Sequence, residues 1–195
     1  FGRFDFFESG EMPLLISKYE RMTRIAREEY GGGIRIVFPS FHRGPLDVYI
    51  QMRGYEGFLE DVAERPDELK NALFFLTEER LRFAKERARY LGETALPETT
   101  FIADDWVNIP FISPAMFTEF FLPLYRRINE TEGRVSGFHT CGNMEQVTRD
   151  LICAFPDIHE LEVSGWNDIE RIDALLNPEI GFLAHVINTV SLGSS

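Results

Sequence analysis

Along this chain the apolar positions change rhythm, and the change divides it into two stretches. Early on they fall at helical spacing. Leu15, Tyr19, Met22 and Ile25–Ala26 form one stripe between Met12 and Tyr30, with Pro13 in a first helical turn, which predicts a helix. Gly31-Gly32-Gly33 stops it, and Ile34 to Phe38 reads as a short buried strand. Pro39 to Pro45 is a loop with a sharp break at Gly44-Pro45. Two short helices follow, Leu46 to Arg53 and Gly57 to Ala63. Arg65-Pro66-Asp67 opens a long helix running to about Leu91. Leu69, Leu73, Leu76, Leu81, Phe83 and Ala84 mark its burial face, and Glu79, Lys85, Glu86, Arg87 and Arg89 its solvated face.

From Thr100 onward, short apolar runs alternate with helical ones. Thr100 to Ala103 is a strand, with Asp104-Asp105-Trp106 at its exit. Ser113-Pro114 pairs a cap with a proline at the first position and starts a helix to about Asn129, which Pro123 is expected to kink. Arg134 to Phe138 (strand), Met144 to Ala154 (helix), Ile158 to Val163 (strand), Asn167 to Leu176 (helix) and Ile180 to Ile187 (strand) complete the series. This alternation predicts α/β architecture, βα units around a parallel sheet. It supplies about five strands, whereas an eight-fold βα barrel needs roughly 250 residues. With 195 residues, no initiator methionine before Phe1 and an apolar segment just ahead of Ser194-Ser195, the expectation is one domain, an incomplete barrel truncated at both ends.

Composition narrows the function classes. Lys and Arg number 20 against 32 Asp and Glu, a formal charge of −12, and such a surface repels phosphate backbones and anionic lipid. No apolar run reaches membrane-span length and no signal peptide is visible, so neither nucleic acid nor membrane is expected as a partner. Two cysteines without a matched framework read as thiols of a reducing compartment, the cytoplasm.

Candidate chemistry gathers at strand exits, where parallel βα folds place functional groups. His139 and Cys141 stand two apart, so in an extended segment both face one point, and Gly142 frees the turn just after them. Imidazole plus thiolate is a pair that zinc favours, and metal ligation is set somewhat ahead of a buried cysteine beside a hydrogen-bonded histidine. Asp104 and Asp105 are candidates for a base, a charge anchor or a cation ligand. Adjacent carboxylates at a strand end cannot both point inward, and capping the amides of the Phe111-Ile112 loop is an equal alternative. Glu162, Ser164 and Asn167 surround a third exit. His42 and Arg43, ahead of Gly44-Pro45, are candidates for recognising an acidic substrate group, against a plain solvated loop. Trp106 is a candidate substrate contact. Cys153 reads as a core thiol beside Leu151 and Ile152, His159 as uninvolved and His185 as packed within the last strand. No phosphate loop, dinucleotide fingerprint, G-x-S-x-G elbow or H-E-x-x-H occurs.

The order of these pieces resembles the uroporphyrinogen decarboxylase superfamily. The matching residues are Gly44-Pro45-Leu46, Gly54-Tyr55-Glu56-Gly57 with Asp61, and Pro66-Asp67-Glu68-Leu69. Asp104-Asp105-Trp106, Ile112-Ser113-Pro114-Ala115-Met116-Phe117 with Phe120, Pro123 and Tyr125, and His139-Thr140-Cys141-Gly142-Asn143 follow. The resemblance implies a TIM (β/α)8 barrel of that type, present here incompletely. The superfamily holds cofactor-free decarboxylases of porphyrinogens, and methyltransferases that move a methyl group between a corrinoid and a thiol held by zinc. His139-x-Cys141 looks like the first two zinc ligands of the second branch, whose third, a cysteine from a later strand, would lie beyond Ser195. On that resemblance the expected cofactors are zinc and a corrinoid carried by a partner protein, with a thiol or small methylated compound as substrate and Asp104 or Asp105 lining the pocket. A carboxy-lyase and a non-catalytic corrinoid-binding or partner-binding member are the alternatives.

Overall fold

A computed structural model describes residues 4–162 and 164–176. Four helices come first: α1 (Met12–Tyr30), α2 (Pro45–Arg53), α3 (Tyr55–Glu64) and α4 (Pro66–Tyr90). Proline occupies the first turn of α1, α2 and α4, where its missing N–H costs nothing. Gly31, in the left-handed region at φ 59°, closes α1. Strand β1 (Thr99–Ala103) then leads through α5 (Pro114–Met116), a π-helical turn (Phe117–Phe121) and α6 (Leu122–Thr131) to β2 (Arg134–His139). Helix α7 (Glu145–Ala154), β3 (Glu160–Glu162) and α8 (Ile169–Asp173) complete the described elements.

The three strands form a parallel sheet in the order β1-β2-β3. Each strand is separated from the next by helical segments, as parallel pairing requires. Ile102, Phe138 and Leu161 are fully buried in one core with Leu73 and Leu81 of α4, Tyr125 and Ile128 of α6, and Val147 and Leu151 of α7. Side chains one residue along point to the other face. There Phe101 crosses Gly137, where a Cβ would lie 2.4 Å from the Phe101 ring. The register places Ala103 beside His139 and His139 beside Glu162, so the strands end side by side. Among the described residues no helix is long and apolar enough to cross a membrane.

Several expectations change. Ile34 to Phe38 forms no strand: Phe38 is buried, but Ile34 and Val37 are exposed. The place beside β1 goes to the next segment. His42 O accepts from Ala103 N at 2.8 Å, and Gly44 N donates to Ala103 O at 2.6 Å. Arg43 thus pairs in parallel with Ala103, and α2 starts directly after this segment, at Pro45. The charged face of α4 is also less solvated than its sequence suggests. Arg87 donates to the carbonyls of Phe38 and Pro39, and Arg82 lies over the rings of Phe4 and Phe6. Arg80 on the same helix is buried and donates to both carboxylate oxygens of Glu132, at 2.7 and 3.1 Å, and to the carbonyls of His42, Arg43 and Phe101. Cys153 is exposed. The buried face of α7 is Val147, Thr148 and Leu151, and a residue two past Leu151 lies about 200° around a helix of 3.6 residues per turn. Pro123 acts one turn before itself: it cannot donate to the carbonyl four residues back, and the chain widens into the π turn there. Strand 180–187 and His185 lie outside the described residues.

Candidate metal centre and cleft

The exits of β1 and β2 bring three donors of different chemistry together. Asp105 stands two residues past Ala103, and Cys141 two past His139, so the strand register delivers both to one place. Cys141 Sγ lies 3.3 Å from Asp105 Oδ1 and 3.4 Å from His139 Nε2, and His139 Nε2 lies 2.9 Å from Asp105 Oδ1. Metal–ligand bonds of about 2.0–2.3 Å in tetrahedral array put donor atoms roughly 3.3–3.8 Å apart. The cluster is therefore close to the size a zinc ion needs, with the Asp105–His139 pair drawn in to hydrogen-bonding distance. Of the described residues these three form the one group of His, Cys, Asp or Glu donors compact enough to hold a metal ion.

Support lies behind the donors. The Glu162 carboxylate contacts His139 Nδ1 from β3, the neighbouring strand. An imidazole held at one nitrogen by a carboxylate presents the other in a fixed direction, the usual arrangement behind a metal-bound histidine. His139 is pushed above its ordinary pKa by the Asp105 hydrogen bond, with Glu162 adding to it, and Asp105 is lowered by the same bond to His139. The Cys141 thiol is pushed up to about 11 by burial and then by Asp105. Without a bound cation Cys141 thus stays protonated at neutral pH; the site is short of positive charge.

Asp104 has a different position. Fully buried, it accepts from Leu46 N and Asp47 N at the start of α2, at 3.3 and 2.8 Å, and from the Tyr125 hydroxyl at 2.8 Å. It caps α2 from a distant strand, rather than the Phe111-Ile112 loop, where Ile112 N donates to Asn108 O. Burial, and then the charge of Asp47, raises Asp104 to about 7. Gly44 is required beside it, since a Cβ there would stand 2.1 Å from Asp104 Oδ2.

A cleft of about 620 Å³ opens beside Cys141 and Asp105. Trp106, Ile109, Pro110 and Phe111 line it from the loop after β1, Gly142 and Asn143 from the loop after β2, and Trp166 from beyond β3. Trp106 stacks on Tyr55 of α3 at 5.3 Å and meets Phe111 edge-on at 5.0 Å, which fixes that part of the lining. Gly142 lies so close to Asn108 that a Cβ would stand 2.2 Å from its amide oxygen. Ser164 and Asn167 tie the third exit to the second through Gly142 O.

His42 and Arg43 are not among the residues that line this cleft. His42 sits 2.6 Å from Ser40 Oγ in a separate cavity of about 420 Å³, with Arg87, Glu132, Ser136 and Glu160. Burial, followed by Arg80, lowers its pKa. Arg43 pairs with Asp47 at 2.7 Å. Asp47 was not singled out from the sequence, although its place three residues past Gly44 in a first helical turn was the available signal.

Parallel strands with helices on one face and a donor cluster at the strand ends define a segment of a βα-barrel protein. The chain belongs to the uroporphyrinogen decarboxylase family, whose model matches residues 16–187. Among solved structures, a methyltransferase from Methanosarcina mazei superposes with a TM-score of 0.64 at 16% identity, over 92% of this chain and 50% of its own, a likeness of fold. The chain thus spans half the length of that structure and corresponds to part of a barrel. No match was found among curated proteins.

Proposed function

We propose that this chain carries the metal site and substrate cleft of a zinc-dependent methyltransferase of the uroporphyrinogen decarboxylase-like superfamily. The reaction moves a methyl group between a corrinoid on a partner protein and a thiol or small methylated compound. The convergence of Cys141 Sγ, His139 Nε2 and Asp105 Oδ1, with Glu162 behind the imidazole, carries this reading. The three donors found among the described residues leave one tetrahedral position, which either a substrate thiol or the cysteine expected beyond Ser195 would fill. Zinc bound here would hold a thiol ligand as its thiolate at neutral pH. The residues supply the rest. Cys141 and Asp105 offset the charge of a divalent ion, Glu162 keeps Nε2 of His139 directed at the site, and the rings of Trp106 and Phe111 present an apolar surface beside it.

A decarboxylase that grips several carboxylates needs cations around its substrate, and among the described residues no Arg or Lys lines this cleft. The test is metal stoichiometry by mass spectrometry together with demethylation of a methyl-corrinoid. About one zinc per chain, lost in Cys141→Ser, and thiol-dependent demethylation are the expected results. A chain that stays metal-free in micromolar zinc sinks the proposal.

A further inference from the structure

The lining of the cleft is selective in charge as well as shape. Trp106 and Phe111 approach from one loop and Trp166 from another, and the ring of Trp166 is largely exposed at 58%. Among the described residues that line it, the charged side chain is the Asp105 carboxylate. The polar groups nearby offer little to an anion. Asn108 Nδ2 donates one N–H to Asp105 O and Asn143 Nδ2 one to Trp166 O, so what remains is neutral amide N–H and no counter-charge. Arg43, whose charge reaches Asp105, is already paired with Asp47. A divalent metal does not reverse the balance, because Asp105 and a Cys141 thiolate offset it and Glu162 stands behind. A sulfonate, carboxylate or phosphate entering here would leave water without gaining a counter-charge.

Aromatic rings with a nearby carboxylate, and no Arg or Lys among the described lining residues, suit the opposite ligand. A methylated ammonium spreads its positive charge over its methyl groups and is weakly hydrated. Ring faces attract it through their quadrupole, by about 0.5–2 kcal/mol according to how far it is desolvated. We infer that the cleft lined by Trp106, Phe111 and Trp166 binds a ligand bearing a methylated ammonium group. This refines the substrate side of the function proposed above and rests on that reading for its link to methyl transfer, though the binding itself does not depend on metal.

Calorimetric or NMR titration of the chain, with zinc and after chelation, tests the inference with three probes. These are choline, its uncharged isostere 3,3-dimethyl-1-butanol, and ethanesulfonate. Choline is expected to bind about 3- to 30-fold more tightly than the isostere, and ethanesulfonate more weakly than either. Trp166→Leu, at an exposed position, should remove about 3- to 10-fold of choline affinity, while Trp166→Phe keeps most of it. Equal binding of choline and its isostere, no choline binding, tighter ethanesulfonate binding, or indifference to Trp166→Leu would each overturn the inference. Failure to load zinc while choline binding persists would remove the proposed function and leave this one standing.

Discussion

Asp104 and Asp105 are chain neighbours whose carboxylates end in opposite surroundings. Asp104 is sealed in the core against the α2 amides and Tyr125, whereas Asp105 faces His139 and Cys141 at the mouth of the cleft. The chain leaves β1 at Ala103 and turns, with Val107 N donating to Asp104 O at 3.0 Å, so the two carboxylates depart in different directions. Substituting them should therefore damage different properties. Asp104→Ala strands two backbone donors and a phenol, with an expected loss of about 2–4 kcal/mol in urea denaturation. Asp105→Ala should stay within about 1 kcal/mol of the parent chain and lose zinc affinity instead. A destabilised Asp105→Ala beside an unaffected Asp104→Ala would reverse the assignment.

At the proposed metal site Glu162 would act through His139, whose Nδ1 it contacts. Glu162→Gln keeps size and a hydrogen-bonding oxygen but removes the charge. Zinc affinity is expected to fall about 10- to 100-fold, in competition with a chromophoric chelator, while thermal stability changes little. An unaltered affinity would show that the carboxylate does not hold the imidazole in solution.

Arg80 and Glu132 form a buried ion pair linking α4 to the end of α6. Removing one partner, as in Arg80→Met or Glu132→Leu, leaves an uncompensated charge and should cost about 3–5 kcal/mol. The double substitution should recover a large part of that loss, because neither charge is then buried alone. Single changes below about 1 kcal/mol would mean that water reaches the pair.

His42 supplies a pH signature away from the metal centre. Burial and Arg80 hold its folded pKa below 6.5, so the unfolded chain takes up its proton first as pH falls. Its contribution to stability is thus fully present above pH 6.5 and lost as pH drops from there through the lowered folded value. Glu132, which borders the same cavity, moderates the effect. His42→Gln should flatten the stability profile in that window; an unchanged slope would assign the acid sensitivity elsewhere.

Gly44→Ala tests the fit beneath α2. Its backbone lies at φ −73°, open to any residue, so the cost is purely steric. A new methyl group against Asp104 should destabilise by about 1–3 kcal/mol. A neutral result would show that Asp104 has room to retreat.

Much of this fold could be read from local signals. Strands β1, β2 and β3 announce themselves as short apolar runs between helical ones, and proline marks three helix starts. What escaped depended on partners far along the chain. Ile34 to Phe38 has the composition of a strand, yet the position beside β1 was taken by His42 to Gly44. Arg80 looks like any helical arginine until Glu132, 52 residues later, arrives opposite it. Cys153 follows two apolar residues, yet helical geometry turns it away from the buried face and leaves it exposed. At the site, the spacing of His139 and Cys141 could be read directly. Which of two adjacent aspartates joins them is a matter of strand parity at a bend, and the role of Glu162 required knowing that β3 lies beside β2.

The side-by-side ending of Ala103, His139 and Glu162 has a consequence for how this protein varies. Neighbouring strands are about 4.8 Å apart by backbone hydrogen bonding alone, so the distance from Glu162 through His139 to the first exit is inherited from the sheet. The rings that meet a ligand belong instead to connecting segments, around Trp106, Phe111 and Trp166. Insertions or exchanges in those segments can alter what enters while the His139 imidazole and the Glu162 carboxylate behind it stay where the ladder put them. The imidazole and its carboxylate support are thus written into the sheet, whereas Asp105, Cys141 and the surrounding rings belong to loops that are free to diverge around them.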